Sequence, residues 1–325
     1  MTLPADNFQA RFHRRWRHLR DPDVRALAWL LDAPGLLDPA APQWHGRIAS
    51  LGPHAADDAA AWLAQLDRDP APLRSWLDVK PFTRLGRYAE KLLAYYFEHQ
   101  GTLVANGLQI RAGRNETIGE FDFLLRDGAA LVHVEFATKL YLLEAGGTGA
   151  EADYFVGPNL ADTLGRKMRK IFERQLALAE HPAAQAYLPQ PVTRAQALVK
   201  GWLFYHRDGT LSPDPADVAA GHCRGFWCAL SELDRVGADR YLVLPRLRWL
   251  APAQAPLDDT IGRATLIDAL HAHFLEDSMP QLVALMGVEG DAAVECERGF
   301  IVPDDWSDRA GERVRRMRHQ NGMAG

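Results

Sequence analysis

The sequence predicts an α/β (α+β) chain in which a central mixed β-sheet is flanked by helices, with a helical extension before it and a mixed α/β extension after it. Three observations carry this expectation. Between residues 82 and 206 the apolar pattern runs helix, three strands, helix, strand. Asp127-Gly128 sits between two apolar runs, a strong signal for a hairpin turn. The composition is globular: 325 residues, 47% hydrophobic and 24% charged, are enough to bury a sizeable core as one unit or as several modules.

Residues 1–80 read as a helical N-terminal module. Helical periodicity surrounds Val24–Leu31 and Ala55–Leu66, and Pro34, Pro39, Pro42, Pro53, Pro70 and Pro72 interrupt it. Arg11, Arg14, Arg15, Arg17 and Arg20, with Trp16 among them, would suit a phosphate backbone. A solvated helical face docked through Phe12, Trp16 and Leu19 is the preferred reading. Residues 81–210 hold the ordered core. LGRYAEKLLAYYFEHQG predicts a helix ending at Gly101, LVANGLQI a strand, and residues 119–139 a hairpin. NLADTLGRKMRKIFERQLALAE predicts an amphipathic helix starting near Asn159 or Asp162, and ALVKGWLFYH a strand before Asp208-Gly209. Residues 211–325 give weaker signals. GFWCALSELD and YLVLPRLRWLAP contain strand-like runs, TLIDALHAHFLEDSMPQLVALM reads as helix, and the last dozen residues are polar and basic enough to fray.

A net charge of −5 and a pI near 6.2 argue against a wholly basic nucleic-acid coat and leave room for a local positive patch. Cys223, Cys228 and Cys296 cannot all pair and lack zinc-ribbon spacing, which fits a reducing cytoplasm. The first twenty residues lack the apolar stretch of a signal peptide, and no segment reaches bilayer-spanning length. A cytoplasmic, soluble protein is therefore expected.

The chemistry concentrates in GEFDFLLRDGAALVHVEFATK, residues 119–139. Alternate residues of a strand share a face, so Glu120 and Asp122 should point together, opposite Phe121 and Phe123. His133, Glu135, Ala137 and Lys139 should share a face of the next strand. Ionised carboxylates in a sheet cost several kcal/mol unless paired or bound to a metal. If the two acidic faces coincide, Asp122 and Glu135 can hold one hard divalent cation, Mg2+ or Mn2+, which takes oxygen ligands and lowers the pKa of its water. The following helix carries Arg166, Lys167, Arg169, Lys170 and Arg174, a positive surface suited to phosphates, and Gln175 could add a polar contact. His222-Cys223 with Cys228, and His271 with His273, lack the second pair that a zinc site needs. Trp202, Trp227, Trp249 and Trp306 read as core or interface residues.

The order GEFD, RDG, VHVEF resembles the PD-(D/E)XK nuclease superfamily, whose core is a helix with an acid, a strand with Asp, a strand with Glu-x-Lys, and a second helix. LGRYAEKLLAYYFEHQG resembles its first helix and places Glu90 at the acidic position. The resemblance covers residues 82–206 and implies a restriction-endonuclease-like core. Over its full length the chain resembles a bacterial family, the domain of unknown function 1853, itself considered similar to that fold. What the resemblance implies is a metal-dependent endo- or exonuclease acting on nucleic acid, DNA first. Asp122 and Glu135 would bind metal, and Glu90 and Glu120 would support it.

One position departs from the pattern: Ala137 stands where the superfamily has its lysine. Lys139 is about 13 Å of strand from Glu135 rather than about 6.6 Å. Lys139, reaching back over a bulge, is the first replacement; Lys167, inserting from the helix as in other members of the superfamily, is the second. The alternative function is a catalytically inactive nuclease fold serving as a nucleic-acid-binding or protein-interaction module. In that case the acids form a structural ion-pair network with Lys139 or Arg111. A more distant alternative is an unrelated enzyme with a small-molecule substrate.

Overall fold

The computed structural model describes residues 7–78, 82–113, 116–144, 146, 151–209 and 217–322. The N-terminal segment contributes α1 (Phe8–Trp16), α2 (Pro22–Asp32), α3 (Ala55–Asp58), α4 (Ala60–Arg68) and α5 (Ala71–Leu77). Asn7 caps α1 through the Ala10 amide, and Asp21 caps α2 through the amides of Asp23 and Val24 with Pro22 in the first turn. The arginine-rich start is docked. Phe12, Trp16 and Leu19 are fully buried, Arg15 pairs with Asp32 at 2.8 Å, and Arg17 pairs with Glu289 at 2.6 Å.

Helix α6 (Leu85–His99) leads into β1 (Leu103–Gly113), β2 (Glu116–Asp127), β3 (Ala130–Leu143) and the short β4 (Phe155–Val156). After α7 (Leu164–Lys170) come β5 (Val192–His206), β6 (Cys223–Ala229), β7 (Arg240–Val243), β8 (Gln254–Pro256), α8 (Arg263–Glu276), β9 (Gln281–Glu289), β10 (Ala292–Val302) and α9 (Trp306–Gly322). Among the described residues the strands form one ten-stranded mixed sheet in the order β1-β2-β3-β5-β6-β10-β9-β7, with β4 beside β3 and β8 beside β10. The chain is thus α/β, and the sheet continues across residue 210 because β5 pairs in parallel with β6, and β6 with β10.

The hairpin forms as its turn residues dictate: Asp127 opposes Ala130 and Gly128 takes φ 59°, the left-handed conformation that glycine adopts without strain. Because β3 and β5 are parallel, α7 must cross over between them, which lays its basic residues across one face of the sheet. On the other face, α1, α2 and α6 bury a core that includes Trp29, Leu92, Phe97, Phe123, Phe136 and Trp202. On the α7 side, Ala137, Tyr141, Leu164, Met168 and Val199 form a second layer.

Several expectations are corrected. The helix after the hairpin starts just past Asp162, within the expected stretch, with Thr163 as its cap. It is α-helical only to Lys170, then passes through a π turn at Ile171–Gln175 and a tighter 3-10 segment at Leu176–Glu180. The stretch QLVALM is strand β9, since Pro280 closes off the helical pattern before it. The end of the chain continues as α9 to Gly322, held by buried Val314 and Met317. Phe121 and Phe123 do not share a face: Phe123 enters the α6-side core, while Phe121 packs with Ile110, Leu124 and Leu131 on the other side. The alternation breaks at Asp122, opposite Gly107, which lies between the Asn106–Phe123 and Leu108–Phe121 pairs and takes φ 63°.

Candidate metal centre

That break builds the site. Strands β2 and β3 pair only from Asp127↔Ala130 to Phe123↔Val134, so beyond Phe123 the two strands part. The backbone amide of Phe136, which has lost its ladder partner, donates instead to Asp122 Oδ2 at 2.9 Å. Asp122 therefore sits where the sheet splits and is reached from both faces.

From the α6 side, Glu90, Glu120 and Asp122 each present an oxygen, all within 4.8 Å of one another. Asn106 Nδ2 fastens the group by donating to Glu90 Oε1 at 3.0 Å and to the Asp122 carbonyl at 3.1 Å. Arg87, one turn before Glu90, donates to Glu120 Oε1 at 2.8 Å and to Glu90 Oε2 at 3.4 Å. From the α7 side, Glu135 is only 1% exposed, and its Oε1 accepts from Gln175 Nε2. Gln175 in turn accepts from Lys167 Nζ at 3.0 Å, so the π turn puts an amide between the ammonium and the acid.

Burial raises the Asp122 carboxyl to about 7, with Glu135 next to it as the second cause. Burial likewise raises Glu135 to about 7, opposed by Lys167. Glu90 is raised to about 7 by burial and by Asp122. Burial lowers the Lys167 ammonium, against the pull of Glu135. His133, buried with neither ring nitrogen hydrogen-bonded, is lowered to about 4 by desolvation; its Nε2 is 3.8 Å from Glu135 Oε2. Glu135 Oε2 has no hydrogen-bond donor.

Arg87, Glu90, Glu120, Asp122, Glu135, Lys167 and Gln175 line a cleft of about 860 Å³ that also takes in Arg84, Lys139, Lys170, Arg246 and Trp249. The donor set fits a hard divalent cation: carboxylate oxygens alone, one of them buried and unpartnered. Of the expected residues, the fold brings together Asp122, Glu135, Glu90, Glu120, Lys167 and Gln175. It does not bring Lys139 to the acids: that ammonium pairs with Asp162 at 3.5 Å, because no bulge returns it toward Glu135. Ala137 is buried in the α7-side layer.

Of the basic helix, Arg169 is bound by Asp153 through two bonds of 2.9 and 3.0 Å, whereas Arg166, Lys170 and Arg174 are exposed. Arg87, Asn106 and His133 were not expected as parts of the site. Only Arg87 left a signal, its place three residues before Glu90 on one helix face. The histidine and cysteine pairs are structural: His222 bonds Tyr205 and the Ala219 carbonyl, His273 bonds the Met279 carbonyl, and Cys223, Cys228 and Cys296 are free and buried. All four tryptophans named above are buried, with Trp249 at the cleft wall. No helix among the described residues is long and apolar enough to cross a membrane.

No curated protein and no solved structure matches this chain. The family model described as "Domain of unknown function (DUF1853)" matches residues 25–302, and the chain belongs to that family.

Proposed function

We propose that this protein is a divalent-metal-dependent nuclease of the PD-(D/E)XK kind, hydrolysing phosphodiester bonds of nucleic acid, DNA in the first place. One observation carries the reading: acids from two neighbouring strands, Asp122 and Glu135, meet in a desolvated cleft with an ammonium, Lys167, from the crossover helix. Asp122 and Glu135 would hold Mg2+ or Mn2+, with Glu90 and Glu120 beside them. When bound, the ion supplies a more acidic water and positive charge against the phosphate.

The rest is work for side chains. Lys167, placed by Gln175 and made less basic by burial, orients the attacking water and, once it has released its own proton, accepts the water's proton and passes it to solvent. Gln175 keeps Glu135 turned toward Asp122. Lys170, at the cleft, and the exposed Arg166 and Arg174 give the phosphate backbone a cationic path.

The test is cleavage of plasmid, linear and single-stranded substrates with Mg2+ or Mn2+, run beside Asp122→Ala and Glu135→Ala. Metal-dependent cleavage lost in both variants is expected; cleavage unchanged in both removes this site as its source. A second reading, a nucleic-acid-binding module without catalysis, is favoured by Ala137 and by the engagement of Lys139 with Asp162. It predicts binding without cleavage by the wild-type chain.

A further inference from the structure

We propose that the Arg87 guanidinium takes the place of a second metal ion, so that the centre described above, on the nuclease reading, is built for one divalent cation. Three carboxylate oxygens within 4.8 Å of one another make a triangle sized for a cation. Arg87 already covers two of its corners. It grips Glu120 with both arms of its fork, at 2.8 and 3.4 Å, and reaches both oxygens of Glu90 at 3.4 and 3.5 Å. Among the described residues its side chain makes no hydrogen bond to Asp122, the third corner. Beyond that corner lies an independent pointer to a ligand: Glu135, 1% exposed, lines the same cleft, and its Oε2 has no donor.

The place for an ion is therefore between Asp122 and Glu135, while the Glu90–Glu120 side is filled by protein charge. The charge balance agrees. Glu90, Glu120, Asp122 and Glu135 carry four negative charges when ionised, and Arg87 with Lys167 returns two positive ones. Within this group of six, one divalent ion neutralises the remainder, and a second would leave the group positive unless Arg87 withdrew. A guanidinium does not lose its proton near neutral pH, so no pH change releases this position and only displacement can. Displacement is geometrically open, because the Arg87 side chain is 53% exposed.

The experiment is Mn2+ binding, followed by the spectroscopic signal of the free ion, for the wild-type chain, Arg87→Met, Arg87→Lys and the double variant Arg87→Met with Glu120→Gln. Each is first checked for an unchanged circular-dichroism melt. The wild type should bind one ion per chain, without cooperativity. Arg87→Met should bind a second, Arg87→Lys should return to one because an ammonium keeps the position charged, and the double variant should lose the second ion again. Two ions in the wild type, or one in both the wild type and Arg87→Met, overturns the assignment of Arg87 and leaves the metal centre standing. No ion in any of the four proteins overturns both.

Discussion

Glu135 and Glu295 are both buried glutamates on strands of one sheet, at 1% and 0% exposure, and their surroundings are opposite. Both oxygens of Glu295 are answered, by Arg298 Nε at 2.6 Å and by Arg298 Nη2 and the Ala253 amide, each at 2.8 Å. Arg298 spends its other donors on the carbonyls of Trp249 and Ala251 and lies 4.2 Å from the Trp202 ring. Glu135 has one amide donor, a neutral histidine behind it and a second carboxyl in front. A buried acid whose charge is matched inside the protein acts as a brace. One whose charge is left unmatched carries a desolvation cost that a ligand would relieve.

The two sites should respond to mutation with opposite sign. Arg298→Ala strands a buried carboxylate and should cost about 3–5 kcal/mol in urea denaturation. Glu135→Gln, which removes a like-charge contact and leaves an amide able to bond, should leave the metal-free protein unchanged or firmer. Equal losses from both variants would erase the difference between brace and site.

The next largest effect separates the two lysines. Lys167→Ala should slow cleavage about a hundredfold or more, the share commonly carried by a positioned proton-transfer group. Lys139→Ala, which breaks a partly exposed pair with Asp162, should change it by less than about threefold. The reverse order would return the role to the strand.

Much of this was legible in the residues. The hairpin could be read because Asp127-Gly128 fixes a turn and the runs beside it alternate. The acids on it stood out because apolar strands rarely tolerate them. The placement of Lys167 was not legible in the same way, since it depends on how far the crossover helix slides along the sheet and on the π turn that brings Gln175 over Glu135. Nor was the parting of β2 from β3 beyond Phe123, opposite a left-handed backbone at Gly107 that the sequence permits without requiring. The run QLVALM shows the same limit. Six largely apolar residues fit a buried strand or a buried helix equally well, and only pairing with β10 and β7 decides.

Acidity probes the same difference more gently. Asp122, Glu135 and Glu90 are each raised by burial to about 7, while a carboxyl in the unfolded chain titrates near 4. Between those values the folded protein holds protons that the unfolded chain has released, so metal-free stability should fall as pH rises from about 4 to 7, with the full penalty in place above it. Stabilities from denaturation at pH 5.5 and 8, set beside the double variant Asp122→Asn with Glu135→Gln, should differ by roughly 2 kcal/mol for each raised carboxyl, and the variant, which keeps Glu90, should lose the larger share of that difference. A wild-type slope identical to that of the variant would mean the carboxyls are not strained.

The smallest effect tests whether the site depends on how α7 begins. Thr163 accepts the Arg166 amide at 3.2 Å and donates to Asp153 at 2.9 Å, and Asp153 also clamps Arg169, so three residues set the angle at which Lys167 enters the cleft. Thr163→Ala removes the cap and should cost about 1 kcal/mol of stability. Thr163→Ser, which keeps the oxygen, should recover it. If α7 aims Lys167 as well as supporting the fold, cleavage by Thr163→Ala should fall several-fold under conditions where the protein is still fully folded. Arg298→Ala should not produce such a fall in the fraction that remains folded. A rate loss that merely follows the unfolded fraction in both variants would show that the start of α7 braces the protein in the way Glu295 does, and does not tune the site.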